Sequence, residues 1–158
     1  MIHINIVCVG KIKENCLKDA ILEYSKRLSK YCKLNIIEIT DEPIPNNLSE
    51  KASNNIKNIE GNKILNYLNN SYIISLDLKG KQYSSEEFSE KMENISFNNS
   101  TISFVIGGSL GLSKEVIEKS NELICFSKMT FPHQLIRVFL LEQLFRAFKI
   151  QNNETYHR

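Results

Sequence analysis

Ile106-Gly107-Gly108-Ser109-Leu110-Gly111-Leu112 and, further on, Phe126-Ser127-Lys128-Met129-Thr130-Phe131-Pro132-His133 decide the fold. Each completes a short apolar run, 102–106 and 123–126, that reads as a strand. Each then passes through small or polar residues onto a helix. Strand, loop and helix in that order form the repeating unit of α/β proteins. In open α/β sheets ligands bind beyond the carboxyl ends of the strands, so these two loops mark one end of the sheet as the place for a site.

The rest of the chain repeats the unit. Residues 2–9 alternate β-branched and polar side chains as a strand does, and Gly10 ends it. Leu17, Ala20, Ile21, Tyr24, Leu28 and Tyr31 recur at helical spacing, with Lys18, Asp19, Glu23, Lys26 and Arg27 on the opposite face. A second strand is expected at 34–40, and a loop at Pro43-Ile44-Pro45, where proline restricts itself and the residue before it. Leu48, Ala52, Ile56 and Ile59 mark a helix expected to weaken at Gly61 and continue through Ile64, Leu65 and Leu68. Residues 72–76 read as a buried strand, Ser84-Ser85-Glu86-Glu87 as a capping box opening a helix, and 113–120 as a short helix. The expected fold is α/β: a mainly parallel sheet flanked by helices, in one domain over 1–158.

Composition narrows the function classes. Hydrophobic residues at 42% and charged residues at 24% are ordinary globular values and exclude wholesale disorder. No apolar run reaches the ~18 residues a membrane span needs, and Met1-Ile2-His3-Ile4-Asn5 lacks the layout of a secretory signal, so a cytoplasmic protein without membrane contact is expected. Cys8, Cys16, Cys32 and Cys125 form no C-x-x-C pair and read as free, mostly buried thiols. The net charge of +2 is small but unevenly spread. Residues 1–40 carry seven Lys/Arg against four acids, 41–126 eight against twelve, and 127–158 five against two. Two basic ends can form one positive face if they meet in space; solvated charge is the plain alternative.

The helix over 132–150 is apolar on nearly its whole circumference, from Leu135 to Ile150, and such a helix must be buried all round. One side packs on the sheet, and a homodimer is the expected cover for the other. The chain then stops on Tyr156-His157-Arg158, a phenol, an imidazole and a guanidinium where termini commonly fray.

Several familiar sites are absent. Gly10-Lys11 and Gly80-Lys81 lack the flanks of a P-loop, and Gly107-Gly108-x-x-Gly111 is not G-x-G-x-x-G. His3, His133 and His157 have no metal-ligand spacing with the cysteines, so no metal is expected, and no G-x-S-x-G elbow exists. What is present is the order Gly-Gly-x-x-Gly-Leu-Ser, a strand, Ser-Lys-Met-Thr-Phe-Pro-His, an apolar helix and a terminal Tyr-His-Arg. That order resembles the ribosomal RNA large subunit methyltransferase H family, of the SPOUT class. The likeness runs from Val7-x-Val9-Gly10-Lys11 to the last residue, and Thr130–Val138 with Tyr156–Arg158 are its most specific segments.

The resemblance implies a homodimer whose C-terminal part is threaded into a trefoil knot. It implies methyl transfer from S-adenosylmethionine to N3 of a pseudouridine in large-subunit ribosomal RNA, on assembled ribosomes. Carried over by position, the cofactor residues are Leu76, Gly108, Ser127, Lys128, Met129, Thr130, Phe131 and Pro132, with Gly107 and Gly111 shaping the loop. Many members have an acid or asparagine where this chain has Leu110. Catalytic roles fall to the tail: His157 as general base, Arg158 to stabilise the anionic base or hold a phosphate, and Tyr156 to stack or to orient His157. His133 reads equally as a site residue or a structural histidine. Two other functions stay open: a SPOUT methyltransferase acting on transfer RNA, and a non-catalytic nucleotide- or RNA-binding α/β module.

Overall fold

Alternating burial along the strands sorts their side chains onto two faces, each covered by helices. The computed structural model describes residues 1–156. The strands are β1 (Ile2–Val9), β2 (Cys32–Ile39), β3 (Tyr72–Lys81), β4 (Thr101–Ile106) and β5 (Glu122–Ile124). The helices are α1 (Asn15–Leu28), α2 (Glu50–Leu65), α3 (Ser85–Asn98), α4 (Lys114–Lys119) and α5 (His133–Gln151). The five strands form one wholly parallel sheet in the order β2-β1-β4-β3-β5. Ile4, Ile6, Cys8, Ile102, Phe104 and Ile106 join Leu28 of α1, Phe88 and Met92 of α3 and Leu140 and Leu144 of α5 in one buried cluster. Val7, Val9, Ile73 and Val105 face the other way, onto Ile64 of α2 and Val116 of α4. Crossovers running one way along the sheet, β1 to β2 and β3 to β4, use the first face. Those running the other way use the second, which is what a single crossover hand requires.

The expected elements all form, with informative differences at their ends. Ser84 Oγ accepts from Glu87 N at 3.1 Å while Ser84 N donates to the Glu87 carboxylate at 2.8 Å, the reciprocal box expected at the start of α3. Gly61 does not weaken α2, which runs unbroken. A Cβ there would lie 2.3 Å from Ser113 Oγ and 3.0 Å from its Cβ, so the glycine lets α2 approach α4 closely. The third strand runs on to Lys81, and the fifth stops at Ile124. Ile124 pairs with both Leu76 and Lys81, so segment 77–80 is an excursion whose two ends clasp one residue. Gly80 makes this approach possible, because a Cβ there would lie 2.4–2.7 Å from the Ile124 backbone.

The apolar circumference of α5 is largely absorbed within one chain. α1 and α3 pack along it, and Leu140, Leu141, Leu144, Phe145, Ala147 and Phe148 are buried. That half does not need the second subunit expected from the pattern. Leu135, Val138 and Phe139, nearer its start, remain only half-buried. The α1–α5 packing also brings the two basic ends of the chain together. Among the described residues no helix is long and apolar enough to cross a membrane, and no group of three or more His, Cys, Asp or Glu could hold a metal ion. The four cysteines are free; Cys16 is exposed, and burial pushes the Cys8 thiol up to about 11 and the Cys32 thiol to about 12.

Candidate cofactor cleft and its supports

Three loops at the carboxyl ends of β3, β4 and β5 enclose a cleft of about 620 Å³. Leu76, Ile106, Ile124 and Ile136 give it apolar walls, and the glycine loop and residues 125–132 contribute backbone groups. Size and lining suit a ligand with one flat ring system and a few polar ends. S-adenosylmethionine fits that description.

The glycine loop is a tight turn in which each glycine answers a different constraint. Gly108 and Gly111 bridge, with Gly111 N donating to Gly108 O at 3.1 Å. Gly111 has φ +87°, which L side chains rarely adopt, although open space surrounds it. A Cβ at Gly107 would press 3.0 Å against Gly111 C and Leu112 Cδ2. At Gly108 the absent side chain points at the wall behind the loop, 3.1 Å from Val9 Cγ1 and 3.4 Å from Glu60 Oε1. The loop thus lies flat on the end of β1 and on α2.

The second loop is held at several points. Cys125 N donates to Lys81 O at 3.0 Å, Met129 N donates to Ser127 Oγ at 3.0 Å, and Pro132 O accepts from Leu135 N and Ile136 N as α5 begins. Phe131 packs edge-on against Phe139 with centroids 5.5 Å apart. Of the expected cofactor residues, Leu76, Gly108, Ser127, Met129, Thr130, Phe131 and Pro132 line the cleft. Lys128 belongs to the same loop but does not line it. Met129 is 74% exposed at the rim.

His133 lines the cleft, and its ring makes no hydrogen bond to a described residue. Burial, then the nearby Arg137 guanidinium, hold its pKa below the usual value and favour the neutral ring. One turn on, Arg137 is almost wholly buried, at 2% exposure. Its Nη1 donates to Glu38 Oε2 at 2.8 Å and its Nη2 to Gly10 O at 3.1 Å, while Nε has no partner among the described residues. Glu38 Oε2 also accepts from Ile12 N at 3.2 Å. This pair fastens the start of α5, and so one wall of the cleft, to the β1–α1 turn. The sequence reading passed over Arg137, Glu38 and Glu60. The available signal was an arginine four residues after His133, the one charged residue in the apolar first half of the helix, 133–141.

Tyr156 is not brought to the cleft of its own chain. Its ring meets Phe145 at 4.9 Å, its hydroxyl donates to Glu142 Oε2 at 2.8 Å, and the Arg146 guanidinium lies 4.8 Å above it. Arg146 also binds Glu142 Oε1 at 2.6 Å. Burial, then the Glu142 carboxylate, raise the Tyr156 pKa and push the neighbouring Tyr24 phenol up to about 12. Glu142 borders a second cavity of about 310 Å³ walled by Tyr83, Phe88, Phe126, Phe131 and Phe139, which shares the 125–131 loop with the cleft. His157 and Arg158 lie outside the described residues.

A family model described as "Predicted SPOUT methyltransferase" matches residues 2–157. Proteins named "Ribosomal RNA large subunit methyltransferase H" from Clostridium botulinum are similar throughout. Those of strains Eklund 17B and Okra are 61% and 62% identical over 158 residues, each match spanning 99% of both chains. Among solved structures, "a probable methylase family protein" of Haemophilus influenzae Rd KW20 aligns with a TM-score of 0.60 at 14% identity, over 98% of this chain and 70% of that one. A "probable methyltransferase" of Bordetella pertussis Tohama I gives 0.55 at 10% identity, over 92% and 96%. At such identities the two structures support the fold alone; the full-length match and the close relatives settle the lineage. This chain belongs to the SPOUT methyltransferases, in the ribosomal RNA large subunit methyltransferase H family.

Proposed function

We propose that this protein transfers the methyl group of S-adenosylmethionine to N3 of a pseudouridine in large-subunit ribosomal RNA, acting in the cytoplasm on assembled ribosomes. The observation that carries the reading is the three-loop cleft, lined by seven of the eight expected cofactor residues, in a chain 61% identical over its length to a protein named ribosomal RNA large subunit methyltransferase H. S-adenosylmethionine supplies a methyl group already activated on a sulfonium, so this chain's task is alignment and removal of a proton. The glycine loop and residues 127–132 hold the donor, and the apolar walls exclude water from it. The imide nitrogen of the acceptor is a poor nucleophile until its proton leaves. His157 takes the N3 proton, Arg158 balances the negative charge that develops on the base, and Tyr156 orients them.

We place these tail residues against the cofactor of a partner subunit. Tyr156 lies on the flank of α5 and away from its own cleft, which supports a homodimer with shared sites. The half-exposed Leu135, Val138 and Phe139 give the apolar surface that such a dimer would cover. A knotted C-terminal part belongs to the same reading, supported by the way segment 77–80 closes around Ile124.

Mapping modified nucleotides in ribosomal RNA from cells with and without the gene tests the proposal. Loss of one N3-methylated pseudouridine from the large subunit, restored by purified protein on ribosomes, is the expected result. Methylation of transfer RNA alone would favour the second SPOUT reading, and cofactor binding without transfer to any RNA would favour the non-catalytic module.

A further inference from the structure

Behind the glycine loop lies a further, small cavity of about 30 Å³. Its wall includes Val9, Asp41, Glu42, Glu60, Gly108 and His133, and it shares Gly108 and His133 with the cofactor cleft. A space of that size holds one water-sized group, provided polar partners surround it. Glu60 supplies the main one. It is 5% exposed, its Oε2 accepts from Glu42 N at 3.0 Å, and its Oε1, on the side facing Gly108, accepts from no described residue. Glu42 is paired with Lys63 at 2.8 Å, and Lys63 also acts on Glu60, so three acids, Asp41, Glu42 and Glu60, share that ammonium beside His133.

We propose that this cavity is the seat of a primary ammonium group, the α-ammonium at the amino-acid end of S-adenosylmethionine, with Glu60 as its carboxylate partner. The inference rests on the cofactor reading above and deepens it, since none of the residues expected to hold the cofactor has an ionisable acid. The second oxygen of this largely buried carboxylate is open to a donor, and an ammonium brings three donors in the volume of a water molecule. Burial raises the Glu60 pKa, as expected for an acid awaiting a cation. The neutral His133 ring adds no repulsion to a cation held there.

Titration calorimetry with S-adenosylhomocysteine and with its desamino analogue, which lacks only the ammonium, tests the seat. Wild-type protein should bind the parent tenfold or more tightly than the analogue, the scale of a charge-assisted hydrogen bond. Glu60→Gln keeps the acceptor for Glu42 N and should weaken the parent by about tenfold while changing the analogue by less than about twofold. Equal weakening of both ligands would mean that Glu60 only supports the loop, and no weakening would mean that the ammonium lies elsewhere; either result overturns the proposal. If thermal melting shows Glu60→Gln to be unfolded, the exposed Asp41→Asn decides instead. A loss of roughly threefold confined to the parent supports the seat, and an unselective or absent loss overturns it. Wild-type protein that binds neither ligand would refute the cofactor reading itself, an outcome distinct from binding both equally, which refutes only the seat.

Discussion

Gly108 has an ordinary φ, so the only obstacle to alanine at that position is space, and the space can be measured. The new Cβ would stand 3.1 Å from Val9 Cγ1, inside the ~3.5–4.0 Å at which carbon atoms rest. Val9 is 1% exposed in the second core cluster and cannot swing aside, so the loop must lift by about half an ångström. Overpacking of this kind costs about 1–3 kcal/mol, and the shift moves the backbone against which the cofactor is expected to rest. Gly108→Ala should therefore weaken S-adenosylhomocysteine about 5- to 30-fold in calorimetry, the factor equivalent to 1–2 kcal/mol. Methyl transfer should fall further, since displacement by a fraction of an ångström degrades alignment. The decisive variant is the pair with Val9→Ala, which removes the obstructing Cγ1 and leaves Glu60 Oε1 at a tolerable 3.4 Å. Val9→Ala alone should lower stability by about 1–2 kcal/mol and leave affinity nearly unchanged. Combined with Gly108→Ala it should restore most of the lost affinity. If affinity stays low in the double variant, or if Gly108→Ala binds normally, the contact with Val9 is not the constraint and the reasoning fails.

Glu38→Ala and Arg137→Met should each destabilise by about 2–4 kcal/mol in urea unfolding, yet the double variant should cost at least ~1.5 kcal/mol less than their sum, because the first change strands a buried charge that the second removes; additive costs would show that the pair is not coupled. The depressed pKa of His133 means that the unfolded chain binds its proton more readily, so stability is intact above about pH 6.5 and falls as pH drops through the folded value. His133→Gln should flatten that limb of the pH–stability curve, and an unchanged curve would count against a buried neutral ring. Deleting 156–158 should leave cofactor affinity within about twofold and reduce methyl transfer by on the order of 10²-fold; equal turnover would return the tail to a structural role. A charge at half-buried Val138 should shift sedimentation towards monomer and abolish transfer, whereas an active monomer would refute the shared site.

The alternation of strands and helices was legible because burial on a parallel sheet imposes it, and the Ser84 box was readable because capping is local. The cleft was legible where it rests on loop composition: residues 107–111 and 127–132 do converge. Gly61 was misjudged because helix propensity is a weak prior beside close packing, here against Ser113. The ends of β3 and β5 were missed because Asp77, Lys79 and Gly80 carry no strand pattern; their pairing depends on Ile124, distant in sequence. The pattern of α5 called for burial all round; within one chain α1 and α3 cover its second half, while Leu135, Val138 and Phe139 stay half-buried. Glu38, Glu60 and Arg137 escaped because a charged residue looks solvated until the fold brings it a partner.

The double pairing of Ile124 also bears on the order of folding. A three-residue strand contributes few hydrogen bonds, so β5 has little hold on the sheet until Leu76 and Lys81 have both closed upon it. Those contacts span more than forty residues of sequence, and long-range closures of this kind are slow. The cleft shares Leu76 and Ile124 with that closure, so it is complete only once β5 has docked against both ends of segment 77–80. A ligand that fits only the finished cleft then acts as a latch, raising the stability of the closed chain in proportion to the logarithm of its concentration.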